Sequence, residues 1–208
     1  RFQIPDMLAN RADTYNLGDI LGDSEALFAS SYLENALTSN SVLAPLATRD
    51  PGDVQKLVKL ARGEDVPLTE IAHGYSAAEV QEITSVLTRL IGCQKVLLQV
   101  NMQYIASASQ DDAYRTEPGF KLQGSYRYMN KLAEKVVSAM NEEELQQLLD
   151  DHYASESQTL TSGAEQNLLK LAELRGRLTE EQAARWKDIK ESFVRARRAG
   201  GKGDDPVA

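Results

Sequence analysis

Apolar residues recur every three or four positions along most of this chain, and that period restricts its fold more than any other feature. Residues 24–40 show it clearly, because their apolar side chains fall on one stripe of a helix. Residues 95–109 alternate in part like a strand, but their length and apolar neighbours favour a buried helix. The sequence therefore predicts an all-α fold, with helices within residues 24–40, 51–62, 76–92, 95–109, 125–140, 142–153, 164–175 and 179–198.

Several of these segments carry recognisable end signals. Polar residues that can cap a helix stand at Asp50, Ser76, Asn141 and Thr179. Ser76 and Thr179 each open a capping box, in which two side chains satisfy two free backbone N–H groups. Pro51 suits the first position of a helix, and Gly63 and Gly92 are predicted to end two of the helices.

Charge is distributed unevenly along the chain. The total of 23 basic and 31 acidic residues gives a net charge of -8, which argues against a general nucleic-acid coat. Residues 183–202 nevertheless hold seven basic and two acidic side chains. Nucleic-acid binding by this segment is therefore an alternative, with Trp186 and Phe193 as neighbouring aromatic residues. Because Trp186, Ile189 and Phe193 share one helical stripe, a core role for them is favoured over base stacking.

Several classes of protein are disfavoured by composition. No apolar stretch approaches the roughly 20 residues that cross a bilayer, and no signal peptide opens the chain, so we expect a soluble, cytoplasmic protein without a membrane partner. The single Cys93 excludes an intrachain disulfide, and we interpret it as a small buried residue. With two distant histidines, His73 and His152, it gives no metal-site spacing, so no metal ligands are predicted.

Two arginines stand out as candidate site residues, since no complete active-site motif is present. Arg11 follows a proline-started turn, and Arg127 lies at the start of a predicted helix, three residues after Gly124. A guanidinium near a helix N-terminus is unfavourable towards the helix dipole, which suggests an anionic partner such as phosphate. The alternative is an ion pair with a nearby carboxylate, for instance between Arg11 and Asp6 or Asp13.

Two stretches resemble MoxR-like AAA+ ATPases. Residues 2–13, followed by residues 15–19, resemble the stretch after the sensor 1 strand, where a Leu-Pro-Glu-Ala-x-Leu-Asp-Arg-Phe pattern ends in an interface arginine. The present chain departs from this pattern at Asn10 and Ala12. The run Gly124-Ser125-Tyr126-Arg127 looks like the sensor 2 motif that opens a lid helix. With residues 114–118 and 129–135, it is most similar to the C-terminal end of large bacterial AAA ATPases of the DNA-repair type.

The resemblance implies a role for each motif residue. Arg11 would be an arginine finger that reaches a neighbouring subunit's nucleotide, and Arg127 would sense the γ-phosphate within its own subunit. Gly124, Ser125 and Arg127 would contribute to binding ATP, with Mg²⁺ held by the full-length protein. The Walker A and Walker B elements would lie before Arg1, so this chain would be part of an ATP hydrolase that is inactive alone.

The resemblance also implies an organisation and a set of partners. Residues 1–22 would end the large subdomain, 23–158 would form the helical lid, 164–199 a helical hairpin and 200–208 a disordered tail. The full-length protein would form a homo-oligomeric ring that remodels a partner protein or DNA. The alternative class is a non-catalytic helical module that binds a protein or nucleic acid.

Overall fold

A computed structural model of the protein describes residues 25–200, with side chains described for residues 30–199. The all-α prediction is confirmed: the part of the chain between 25 and 200 contains seven α-helices and no strand. The helices are α1 (Glu25–Ala36), α2 (Pro51–Ala61), α3 (Ala77–Ser109), α4 (Tyr126–Ala133), α5 (Glu142–Ser157), α6 (Ala164–Leu174) and α7 (Glu180–Gly200). The predicted large-subdomain end, residues 1–22, lies outside the described residues. The predicted tail, residues 200–208, also lies outside them except for Gly200, which is the last residue of α7.

Local capping signals set where several helices begin. The Asp50 side chain accepts a hydrogen bond of 2.7 Å from the backbone N–H of Gly52, and Pro51 is the first residue of α2. The Ser76 capping box is confirmed, since Glu79 N–H donates to Ser76 Oγ at 3.2 Å and Ser76 N–H donates to the Glu79 carboxylate at 2.8 Å. Equivalent reciprocal pairs join Asn141 to Glu144 and Thr179 to Gln182. Gly63 ends the α2 region in the left-handed conformation, with a φ of +83°.

Two predicted helix boundaries are wrong. Gly92 does not end a helix, because α3 continues through it for 33 residues and includes the segment at 95–109. A Cβ at Gly92 would lie 3.2 Å from Leu145 Cδ2, so the glycine allows close packing instead. Helix α4 ends at Ala133 and not at Met140, since the buried Asn40 amide donates to the carbonyls of Ala133 and Val136. Those carbonyls are therefore satisfied without further helix.

The chain divides into two compact units, and each has its own core. The first unit comprises residues 25–98 and 124–152 of the described chain. Its core is built from buried side chains of α1 to α5, among them Leu33, Leu57, Leu87 and Leu149, and it includes the fully buried Cys93, as interpreted from sequence. The second unit comprises residues 99–123 and 153–200. The predicted domain bounds stay predictions.

The core of the second unit contains the single tryptophan. Trp186 and Ile189 of α7 pack with Leu169 of α6 and with Leu178, so the core role predicted for this stripe is confirmed at its first two positions. Gly176 makes the tight turn between α6 and α7 with a φ of +64°, a conformation that glycine adopts readily. No helix within residues 25–200 is both long enough and apolar enough to cross a membrane.

Candidate functional site

The segment from Gly124 to Arg127 leads into the N-terminus of α4. Ser125 is buried and is the N-cap of this helix, with its side-chain oxygen accepting from the backbone N–H of Tyr128 at 3.3 Å. Its backbone is extended, with φ -92° and ψ 163°, and the helix begins at the next residue. Arg127 is therefore in the first turn of α4, as the sequence pattern predicted.

Gly124 is required at its position because the backbone of α3 passes directly against it. A Cβ added to Gly124 would lie 2.9 Å from the Leu97 Cα and closer still to the Leu97 carbonyl oxygen. Real Cβ atoms essentially never approach backbone so closely, and backbone cannot move aside as a flexible side chain can. The glycine of the motif thus brings the turn before α4 into contact with α3.

Helix α1 holds the same turn from its other side. The Tyr32 hydroxyl donates a buried hydrogen bond of 2.5 Å to the carbonyl oxygen of Gly124. The rings of Tyr32 and Tyr126 stack with centroids 4.4 Å apart and planes 28° apart. The Tyr126 hydroxyl also shares a hydrogen bond of 2.6 Å with Ser31 Oγ. Gly124 and Tyr126 are therefore both fixed to α1.

A further contact between α1 and α4 lies one helical turn beyond Tyr126. The side-chain amide of Asn130 donates to Asn35 Oδ1 at 3.1 Å. Together these interactions bind the first two turns of α4 to α1 through hydrogen bonds and ring stacking. The backbone that carries Arg127 is consequently tied to α1 by these contacts.

Arg127 itself is exposed. Its side chain makes no hydrogen bond or ion pair with any other residue that the structure describes. The alternative of a neighbouring carboxylate partner therefore finds no support within residues 30–199. A guanidinium in the first turn of a helix lies close to the positive end of the helix dipole, which an anion there would offset. The site thus combines a turn held by buried contacts with an exposed cation.

The two predicted arginines differ in what the structure describes of them. Gly124, Ser125 and Arg127 lie at the turn that begins α4, and their role in binding ATP stays a prediction. Arg11 lies outside the described residues, so its role as an arginine finger stays a prediction.

The basic segment of α7 is occupied largely by interactions within its own unit. Arg185 forms a two-pronged ion pair with Glu165, at 2.7 and 2.9 Å, and this interaction lowers the pKa of the Glu165 carboxyl. Lys190 donates to Glu173 at 3.2 Å and lies over the ring of Trp186. Trp186 is only 2% exposed, so its ring is not available to stack on a base. These contacts weaken the nucleic-acid alternative.

Sequence reasoning missed a partly buried ion network in the second unit. The Lys170 ammonium lies 2.8 Å from the Glu117 carboxylate and 2.9 Å from that of Glu173. Burial opposes the charge on Lys170, but the hydrogen bonds that the ammonium donates to both glutamates outweigh this effect and raise its pKa. The network joins the segment before Gly119 to α6. No local pattern indicates it, because Glu117 and Lys170 are far apart in sequence.

Sequence reasoning also missed the hydrogen bond that the Tyr32 hydroxyl donates. Its place on the apolar stripe of α1 indicates burial, and its side chain is indeed buried. Nothing in the stripe indicates that its hydroxyl bonds a carbonyl 92 positions later. Among the described residues, no three histidine, cysteine, aspartate or glutamate side chains are grouped as a metal site would need.

Comparisons with protein-family models, with curated proteins and with solved structures found no match to this chain. A function must therefore be argued from the residues and their arrangement.

Proposed function

We propose that this chain is the C-terminal part of a MoxR-like AAA+ ATPase, of the type found in large bacterial DNA-repair ATPases. In this proposal the first unit serves as the helical lid, and Arg127 is the sensor 2 arginine that contacts the γ-phosphate of ATP. The observation that carries the proposal is the Arg127 turn, where an exposed guanidinium stands on backbone fixed by Tyr32 and Leu97. The similarity of residues 124–127 to the sensor 2 motif supports the same assignment.

An exposed arginine on a rigid turn is chemically suited to this task. A guanidinium remains charged at any physiological pH and donates parallel hydrogen bonds that match phosphate oxygens. Because its backbone is held in place, Arg127 loses little further freedom on meeting the phosphate, and pre-organised charge of this kind stabilises developing negative charge well. Gly124 and Ser125 are buried, so they shape the turn that presents Arg127.

The nucleotide would be held mainly by residues outside this chain. ATP with Mg²⁺ supplies the phosphoryl group whose transfer to water drives the cycle. Arg127 would bind the γ-phosphate while it is present and lose that contact after hydrolysis. The lid would then move, which would couple hydrolysis to remodelling of a partner protein or DNA in the cytoplasm.

Turnover of ATP by the full-length protein tests the role of Arg127. We expect Arg127→Ala to lower kcat by about 100-fold, the scale of removing one donor aimed at developing charge. The matched control is Arg62→Ala, which removes an exposed arginine from the end of α2 in the same unit. We expect this control to leave kcat unchanged.

The free energy of unfolding shows whether a lower kcat in Arg127→Ala comes from lost catalysis or from lost folded protein. Since Arg127 is exposed and has no described partner, we expect Arg127→Ala to change the unfolding free energy by less than about 0.5 kcal/mol. Equal kcat values for the wild type and Arg127→Ala would refute the proposed function. A parallel loss in Arg62→Ala would show that the effect comes from net charge.

A homo-oligomeric ring would place Arg11 at a neighbouring subunit's nucleotide. When Arg11→Ala subunits are mixed with wild-type subunits, we expect activity to fall more steeply than the wild-type fraction, because each mutant subunit disables its neighbour's site. Activity that falls in strict proportion to that fraction would exclude a finger acting between subunits.

A further inference from the structure

We infer that Tyr32 is a positioning residue for Arg127, acting through the Gly124 carbonyl and the ring of Tyr126. The inference rests on the proposed function of Arg127 and adds the part that α1 has in it. It depends on the buried hydrogen bond and the ring stack by which Tyr32 contacts the residues on both sides of Ser125.

The need for such a residue arises from Gly124. Close approach to Leu97 leaves no space for a Cβ, so only glycine fits. A glycine, however, leaves the backbone around it freer to rotate than any other residue would. Rotation there would swing the cap at Ser125 and move Arg127 with it. The hydrogen bond from Tyr32 to the Gly124 carbonyl removes this freedom at the residue where it arises.

Tyr126 gives Tyr32 a second hold on the turn. Residue 126 is the direct neighbour of Arg127, and its ring stacks on that of Tyr32 while its hydroxyl is bonded to Ser31. The two tyrosines therefore hold the backbone on both sides of Ser125, at positions three residues and one residue before Arg127.

Helix α1 would also transmit a movement of the large subdomain to Arg127. It follows directly in sequence the segment that the proposal assigns to the end of the large subdomain. Because Ser31, Tyr32 and Asn35 all bond the start of α4, a displacement of α1 carries the arginine with it. In this arrangement Tyr32 keeps the backbone before Arg127 at a fixed position relative to α1.

A double-mutant cycle on the full-length protein tests the inference. The variants are Tyr32→Phe, Arg127→Ala and the two combined, with kcat and KM for ATP measured for each. Tyr32→Phe keeps the ring stack and removes only the hydroxyl. Loss of one hydrogen bond corresponds to about a 5-fold change in an equilibrium, so we expect kcat to fall by about 5-fold in the wild-type background. In the Arg127→Ala background we expect Tyr32→Phe to cause no further loss.

The control is Tyr75→Phe, which removes a tyrosine hydroxyl from the same unit. The Tyr75 hydroxyl is buried and has no hydrogen-bond partner among the described residues. We expect this variant to retain the wild-type kcat. Urea unfolding of every variant ensures that only folded protein is compared.

The possible outcomes separate the inference from the proposed function. An unchanged kcat in Arg127→Ala would overturn the proposed function, and the inference with it. A large effect of Arg127→Ala together with an equal loss from Tyr32→Phe in both backgrounds would overturn the inference alone, because Tyr32 would then act independently of Arg127. An unchanged kcat in Tyr32→Phe would also overturn it, while leaving the proposed function intact.

Discussion

Single buried polar side chains hold the irregular connections of this protein. Asn40 donates to the carbonyls of Ala133 and Val136, and its own oxygen accepts from the backbone of Val42 and Leu43. Connecting segments have few backbone partners of their own, so a buried side chain that supplies donors and acceptors fixes their course. Tyr32 belongs to the same class, and its particular effect is to fix a segment that carries an exposed arginine.

Asp53 is a single buried residue whose negative charge stabilises the connection between α2 and α3. Its carboxylate accepts backbone hydrogen bonds from Ala72 at 2.8 Å and from His73 at 2.9 Å. These bonds, with that from Ala72 the stronger, hold the pKa of the carboxyl below its ordinary value of 3.8. Since the folded state binds the proton less tightly than the unfolded state, this stabilisation is complete above pH 3.8 and is lost as pH falls through the lower, folded pKa.

We expect Asp53→Asn to unfold at a lower urea concentration than the wild type at pH 6. An asparagine amide nitrogen cannot accept the second backbone bond, so one N–H is left without its partner. The difference between the two proteins should narrow when the titration is repeated at pH 3 and lower. The control is Asp65→Asn, which changes an exposed aspartate in the connection between α2 and α3. A difference that stays constant with pH would show that ionised Asp53 does not stabilise the fold.

At the scale of single elements, the helix starts follow from local sequence. The boxes at Ser76 and Thr179 and the cap at Asn141 were all predicted, because both partners in each lie within four residues of one another. The continuation of α3 through Gly92 and the end of α4 at Ala133 could not be predicted in the same way. One depends on Leu145 and the other on Asn40, and contacts so distant in sequence leave no local pattern.

The capping box at Ser76 can be tested by comparing two serine-to-alanine substitutions, one in the box and one within α3. We expect Ser76→Ala to lower the unfolding free energy by about 1 kcal/mol, because the first turn of α3 loses its cap. Ser85→Ala lies within α3, where alanine is the better helix former, and should raise stability by a few tenths of a kcal/mol. Urea unfolding followed by circular dichroism measures both. Equal effects from the two substitutions would show that the box contributes nothing specific.

For the molecule as a whole, the sequence indicates the fold class and the motif but not the support of the site. Helical periodicity predicts the all-α fold, and the similarity of residues 124–127 to a known motif indicates Arg127. The Tyr32 bond to Gly124 and the close approach of Leu97 depend on tertiary packing, so only the structure reveals how the backbone before Arg127 is held. The same is true of Arg185 and Lys190, whose partners make the basic helix less available than its composition suggests.

The central claim is that Arg127 meets the γ-phosphate of ATP. It is tested most directly by the experimental structure of the full-length protein with a non-hydrolysable ATP analogue. We expect the Arg127 guanidinium to lie about 3 Å from an oxygen of the γ-phosphate, with the Tyr32 hydroxyl still bonded to the Gly124 carbonyl. A bound analogue whose γ-phosphate is out of reach of Arg127, or a full-length protein that binds no nucleotide, would contradict the claim.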